Sequence, residues 1–554
     1  MVVRRPSVAE VATAAAIVAT GAWLRWWHLG TPSLWWDELV HVATAQQGSV
    51  TAVLQAARLG VAPGAGNAGA VPLDYLLLHG FLATVPAPAA EHFERWVRAP
   101  ACLWSAMTPL VLWLWARTYV GRAAALLAAL LLALSVPHVL YAAEARFYAL
   151  FGLATVAQLW TFSHLLARRT GASWALFAAG IVLYFLTGLL GVLVVAVEFA
   201  VLLALALREG RSRGALLGLG GSATLLLVVM AAYLAEVDPH GHMRERPPAL
   251  DPWGISWRTL GWFTEGSAVL RWAAVAAPVV LLARARWLGR PCLPTAIVLA
   301  AALLAVVPAI VLVEQWRQYY FHPRHALFIL PVLMLGIAVV LETGLRRLDP
   351  LRRVLRSPAR RRAVYAAVLL GAVAALQGPT AWRFVQHPEA FFARTKSGHD
   401  VAALVRDLQV AAGTLHGRQK ILVLVERFGP GRLANPVLAR YLWLHGLHPR
   451  VVLRSTGNVG WTLGRVAELC AAGCPGMPGP DVERAVGTVG PPLSIGLAKR
   501  LLLHLPPSVG RWPGRVRHVV VVTYSPVPVG PWTRRLERRR HGRMLAWWSP
   551  RAEP

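Results

Sequence analysis

The sequence predicts an all-α polytopic membrane domain of about 11 transmembrane helices, followed by a small extracytoplasmic α/β domain. Three observations predict it. Of 554 residues, 56% are hydrophobic and only 15% are charged, whereas soluble domains carry about a quarter of their residues as Asp, Glu, Lys and Arg. Apolar runs long enough to cross a bilayer recur from Val8 to Ala374. Beyond Trp382 the pattern changes to short, more polar segments with strand–helix–strand order. The 24 Trp, with abundant Leu, Val and Ala, exclude a disordered chain.

Val8–Trp27 follows Arg4 and Arg5 and ends in Trp23, Trp26 and Trp27, an aromatic belt at the opposite interface. It is too long for a signal-peptide core and reads as an uncleaved first helix. Residues 28–98 form a first outer loop, Gly-rich from Gly60 to Gly69, with interfacial helices that include Val71–Val85. Further spans are expected at Ala99–Ala116, Ala123–Tyr141, Phe147–Ala167, Ser173–Thr187, Leu189–Leu207 and Ala215–Leu234. After a second large outer loop over residues 236–267 come Ala268–Ala283, Thr295–Val313, Ala326–Leu341 and Val364–Thr380.

With Val71–Val85 kept out of the membrane, every strongly basic short loop falls on the cytoplasmic side, up to the run from Arg346 to Arg362. The membrane unit is then 1–382, with the N-terminus inside a cell (inner or plasma) membrane and the basic tail 383–554 outside. In that tail, Asp400–Val410 and Asn435–Leu444 read as helices, and Ile421–Val425, Arg450–Leu453 and His518–Thr523 as strands.

The net charge of +30 does not point to nucleic acid. The tail holds 25 Lys or Arg against 9 Asp or Glu, but no zinc-finger or RNA-binding signature. An anionic bilayer surface or glycolipid is the more economical partner. Four cysteines are too few for a disulfide framework. Cys102 and Cys292 read as buried thiols, and Cys470 with Cys474 as one local disulfide.

Four polar segments fall on the outer side. SLWWDE, Ser33 to Glu38, sets two acids at a membrane interface, where acids are costly unless paired, solvated or used. A carboxylate there suits a general base for an acceptor hydroxyl, with its neighbour tying down the loop; the plain alternative is a helix cap. YAAEARFYAL, Tyr141 to Leu150, offers Glu144, Arg146 and Tyr148, or simply an ion-paired turn. Glu314 to Pro331 carries Arg317, Tyr320, Arg324 and His325, which suit a phosphate through the planar arginine fork, or an interfacial turn. The loop with His240, His242, Arg244, Glu245, Arg246 and Glu265 reads as solvated rather than metal-binding. Their coincidence on one side describes an outward-facing cavity, with acids for an acceptor and arginines for an anionic donor.

SLWWDE after the first helix resembles the Asp-Glu motif of the polyprenyl-phosphate-sugar-dependent membrane glycosyltransferases of the GT-C fold. That group includes the bacterial protein O-mannosyltransferases and the lipid A aminoarabinose transferase. EARFYAL and FHPRHALFILP are similar to later segments of the same family, so the resemblance runs in order from Ala9 to Leu341, and His325 stands where an aromatic residue often follows the arginine.

The resemblance implies a GT-C-like fold and a hexosyl- or pentosyltransferase acting on the outer face of the membrane. Its donor would be a polyprenyl-phosphate-linked sugar and its acceptor a hydroxyl on protein, lipid or cell-envelope glycan. It assigns catalysis to Asp37 with Glu38, donor-phosphate binding to Arg324, Arg146, His325 and Tyr320, and support to Glu144 and Tyr148. No cofactor or metal ligand set is expected, a divalent metal being left open. The competing class is a transporter or flippase of a lipid-linked anionic sugar, for which paired halves and mid-span charges other than Glu198 are wanting.

Overall fold

The structure is a computed structural model. It describes residues 6–59, 72–86, 88, 92–208, 213–234, 251–288, 292–316, 322–348, 357–395, 401–426, 438, 441–442, 445–447, 450–456, 515–523, 537–541 and 544–548. The expectations for Gly60–Gly69, His240–Arg246, Arg317, Tyr320, Cys470 and Cys474 lie outside the described residues.

Helix α1 (Val8–Trp27) is capped by the Ser7 side chain. Three short helices follow, α2 (Trp36–Ala45), α3 (Val50–Leu59) and α4 (Leu73–Thr84). At about 1.5 Å per residue they extend only about 15–18 Å, well short of a hydrocarbon core. Then come α5 (Phe93–Tyr119), α6 (Arg122–Leu134), α7 (Val136–Ala142), α8 (Tyr148–Arg168), α9 (Gly171–Thr187), α10 (Val192–Arg208) and α11 (Arg213–Leu234). Helices α12 (Pro252–Phe263), α13 (Ala268–Leu288), α14 (Leu293–Trp316), α15 (Leu330–Leu348) and α16 (Pro358–Gln386) complete the bundle.

Among the described residues, 9 helical segments are long and apolar enough to cross a membrane, and the α6–α7 pair makes 10 when taken as one bent span. The 17-residue α9 is at the short end of what spans a bilayer. Counted together, these occupy the positions where the apolar runs predict spans. The chain is a multi-pass membrane protein.

Two details differ from the expectation. The second span starts at Phe93 rather than Ala99, so Glu94 and Arg98 lie inside a helix that continues through Pro100. The third span breaks at Ser135 with a bend of 57°. A break frees backbone groups that a membrane interior must still satisfy. Here Arg25 of α1 donates to the Leu132 and Ala133 carbonyls at 3.2 and 3.0 Å. On the other side of the break, Glu265 accepts from the Val136 amide at 2.8 Å.

The basic helix ends gather on one face. Arg117 and Arg122 both pair with Glu10 of α1 at 3.1 Å. Arg284 of α13 bonds Glu342 of α15 and the Val120 carbonyl.

Beyond α17 (Pro388–Thr395), α18 (Val401–Gly413) leads into a five-stranded sheet. β1 (Gln419–Glu426) pairs in parallel with β2 (Val451–Thr456) and β3 (Arg515–Thr523). β4 (Glu537–His541) and β5 (Met544–Trp548) form an antiparallel hairpin on β3. Leu438, Tyr441 and Leu442, within the expected helix Asn435–Leu444, are helical. The sequence reading missed the hairpin, because ERRRH reads as a solvated charge run.

The sheet does not bury a core of its own alone. Ile421, Val423, Val520 and Val522 belong to one apolar cluster with Leu34, Leu39, Val42, Leu78, Phe93 and Val97 from the first loop and α5.

Candidate active site

The site grows from the start of α2. Glu38, at the third position of that helix, accepts from the Trp35 backbone N–H at 3.2 Å and so caps its own helix. The same carboxylate receives Arg98 side-on, Nε to Oε1 and Nη2 to Oε2, both at 2.8 Å. Arg98 directs its remaining donors at the Leu29, Pro32 and Ser33 carbonyls, at 3.1, 2.6 and 3.2 Å. Glu38 also accepts from the Ala145 amide at 2.9 Å, which fixes the α7–α8 turn to the same point. Both side chains of the pair are 0% exposed.

With both oxygens engaged and no exposure, Glu38 ties the loop to α5 and to the α7–α8 turn.

Asp37 points elsewhere, because successive helical residues are turned by about 100°. Its Oδ2 is bonded by Arg146 Nη1 and lies 3.5 Å from Arg324 Nη2, and the side chain keeps 27% exposure. Arg146 comes from the turn before α8. Arg324 comes from a tight 3-10 turn, Pro323–Ile329, where Pro323 enforces the helical start. Phe151 of α8 stacks on Phe328 of that turn at 4.2 Å, holding the two arginine-bearing segments side by side.

Each guanidinium also lies against an aromatic face, Arg324 over Trp35 at 4.9 Å and Arg146 over Tyr148 at 5.2 Å. Such stacking holds a planar cation in place while leaving its edge for an oxygen ligand. Burial works against the Arg146 charge, but Tyr148 and Asp37 outweigh it and hold its pKa above the ordinary guanidinium range. His322 is pushed down to about 4, by burial first and Arg324 second, so it is neutral near pH 7. Its Nδ1 accepts from the Arg324 amide at 3.2 Å and caps the turn.

The structure therefore brings together Asp37, Arg146, Arg324 and Tyr148. Glu144 is buried in the same turn, 1% exposed. His325 lies in the 3-10 turn with its ring 6.4 Å from that of His322. Tyr320 is outside the described residues. Sequence reasoning did not single out Arg98, whose only signal is a charge at the head of an apolar helix. Nor did it single out His41, one turn after Asp37 on α2, with Nε2 2.6 Å from Asp74 and its ring stacked on Tyr75 at 3.9 Å.

Two guanidinium groups meet a single carboxylate, and their planar donor forks are of the kind that suits phosphate oxygens. The carboxylate itself suits a hydroxyl proton. Among the described residues, no three His, Cys, Asp or Glu side chains gather as metal ligands do.

Fold and site together define a multi-pass membrane protein with a carboxylate–arginine centre at the ends of its helices. No family model and no curated protein matches the sequence. Solved structures do. ArnT from Cupriavidus metallidurans in the apo state is similar over 99% of this chain and 100% of that one, at a TM-score of 0.50 and 16% identity. The same protein bound to undecaprenyl phosphate gives 0.49 and 13%, over 98% of each chain. The Archaeoglobus fulgidus oligosaccharyltransferase in complex with Zn and sulfate gives 0.46 and 12%, over 92% of this chain and 67% of that one. The likeness to apo ArnT shows that the chain has the GT-C fold.

Proposed function

We propose that this protein transfers a hexosyl or pentosyl group from a polyprenyl-phosphate donor to a hydroxyl acceptor of the cell envelope. The observation that carries this is Asp37 held between Arg146 and Arg324 at the ends of three separate elements. The shared fold with ArnT and the resemblance of SLWWDE to the Asp-Glu motif support it.

At rest, both arginines are engaged by Asp37. A lipid phosphate entering the site competes for both guanidinium forks and leaves the carboxylate free to accept a proton. The acceptor hydroxyl oxygen then attacks the anomeric carbon as its proton passes to Asp37. The bond from that carbon to the phosphate oxygen breaks, and its electron pair stays on the polyprenyl phosphate. Arg146 and Arg324 neutralise the charge that develops there, which is where preorganised donors act most strongly. Arg98 and Glu38 hold the loop so that Asp37 meets the acceptor without rearrangement. No cofactor enters this scheme, and a chelator in the assay tests for a divalent metal.

The membrane unit 1–382 would sit in the cell membrane with its N-terminus in the cytoplasm, and residues 383–554 would cover the site from outside. A carrier would use a mid-span acid, but Glu198 is hydrogen-bonded to Gln158 at 2.7 Å inside the bundle. The test is transfer of radiolabel from polyprenyl-phosphate sugars in membranes containing the protein. Absence of transfer from every donor in a panel of hexoses and pentoses overturns the proposal.

A further inference from the structure

The SLWWDE loop is held from two directions. From the bundle, Arg98 of α5 grips its carbonyls. From the opposite side, Tyr441, more than 340 residues away in sequence from Glu94, reaches into the same loop. The Leu34 backbone N–H donates to the Tyr441 hydroxyl oxygen at 2.8 Å. The hydroxyl in turn donates to Glu94 Oε1 at 2.6 Å. Tyr441 and Leu34 are each 1% exposed, and Glu94 is 6% exposed.

Glu94 and Arg98 lie one helical turn apart, so a single face of α5 anchors both attachments. The Tyr441 ring stacks near His445 at 6.4 Å and packs in the apolar cluster shared by the sheet and the first loop. Burial first, and Glu94 second, push the hydroxyl well above its ordinary pKa, so it keeps its proton across the physiological range.

The geometry points to Tyr441 as a positioning residue: the C-terminal unit is part of the site, and its hydroxyl sets the place of Leu34 and hence of Asp37 three residues on. The tail is therefore more than a cover. The catalytic half of this statement rests on the transferase reading; the structural half does not.

The experiment is Tyr441→Phe in the full-length protein, which removes one oxygen and keeps the ring in its core. The Leu34 amide and the Glu94 carboxylate are then left buried without this partner, and unmade buried bonds weaken an arrangement by about 10- to 100-fold. Amide hydrogen exchange should accelerate by that factor at Leu34 and its neighbours in residues 33–38, and stay unchanged in β1. In the transfer assay kcat should fall at least about fivefold, with the donor KM within about twofold, because both arginines remain. Unchanged exchange at Leu34 overturns the inference whatever the activity. Faster exchange at Leu34 with an unchanged kcat overturns the catalytic half. If the wild-type protein transfers no sugar, the functional reading fails by itself, and exchange alone decides the clamp.

Discussion

Arg98 and Glu38 form a side-on, doubly hydrogen-bonded ion pair with neither side chain exposed to solvent. Around that pair the first loop, the head of α5 and the α7–α8 turn all meet. Removing one partner of a buried pair leaves an uncompensated charge, typically at a cost of about 3–5 kcal/mol. Arg98→Ala should lower the unfolding free energy by that order, and Arg98→Lys should recover only part, lacking the fork. Denaturant titration in detergent measures it. A loss below about 1 kcal/mol in Arg98→Ala would show that the pair does not hold the loop.

Asp37→Asn separates chemistry from a purely structural role. The helix cap belongs to Glu38 and is untouched, and the Asn amide oxygen still accepts from Arg146. Loss of a general base, however, slows reaction by about a hundred- to ten-thousand-fold. Polyprenyl phosphate should bind at least as tightly as in the wild type, because the arginines lose a competing carboxylate. Near-normal turnover would return SLWWDE to the role of a capped turn.

Arg324 should serve the donor. Arg324→Ala removes a charge-assisted bond of about 1.5–3 kcal/mol, so polyprenyl phosphate should bind about 10- to 100-fold more weakly. Arg324→Lys should restore only part of this, since an ammonium presents a point charge and not a fork. Equal affinity in the Ala variant would place the phosphate elsewhere.

Glu265 carries a pH signature. Burial raises its carboxyl to about 7 from a reference of 4.5, against the opposing pull of the Val136 amide. Between those two pH values the folded chain holds a proton that the unfolded chain has released. This contribution to stability therefore falls as pH rises from about 4.5 to about 7 and is level above. Glu265→Gln removes it. The melting temperature of the variant relative to wild type should be higher at pH 8 than at pH 5, and an equal offset at both would contradict the assignment.

Sidedness can be read by labelling. A cysteine at Ser357, at the exposed head of α16, should react with an impermeant reagent only after permeabilisation. One at Thr414, in the exposed turn before β1, should react in intact cells. The reverse pattern would invert the proposed topology.

Much of this was legible in the sequence, for identifiable reasons. Apolar runs show where helices cross, and the arginine clusters at Arg117, Arg284 and Arg346 mark one face. Asp37, Arg146 and Arg324 stood out because charges beside apolar runs need a use or a partner. Arg98 and Tyr441 did not stand out. Arg98 looked like the end of a polar loop, since nothing local reveals that Glu38 lies against it 60 residues earlier. Tyr441 lies in a tail whose sequence offers no motif, and its partners Leu34 and Glu94 are visible only in three dimensions. The break at Ser135 was missed although Pro137 signals it, because the Leu and Ala before it and the Val and Leu after it keep the average hydropathy high.

That break bears on how the chain is made. Arg25 leaves the ribosome with the first helix, while the Leu132 carbonyl it finally meets is synthesised 107 residues later. At about 5–20 residues per second, the wait is on the order of ten seconds. In that interval the guanidinium can reach the Gly21 carbonyl of its own helix and, once made, the Ser105 hydroxyl. Otherwise it reaches for lipid headgroups and interfacial water, as a snorkelling arginine does. The first helix thus enters the bilayer in a provisional pose, and the sixth and seventh give it a final one. The full set of Arg25 contacts is therefore complete only once Leu132, Ala133 and His138 have been made.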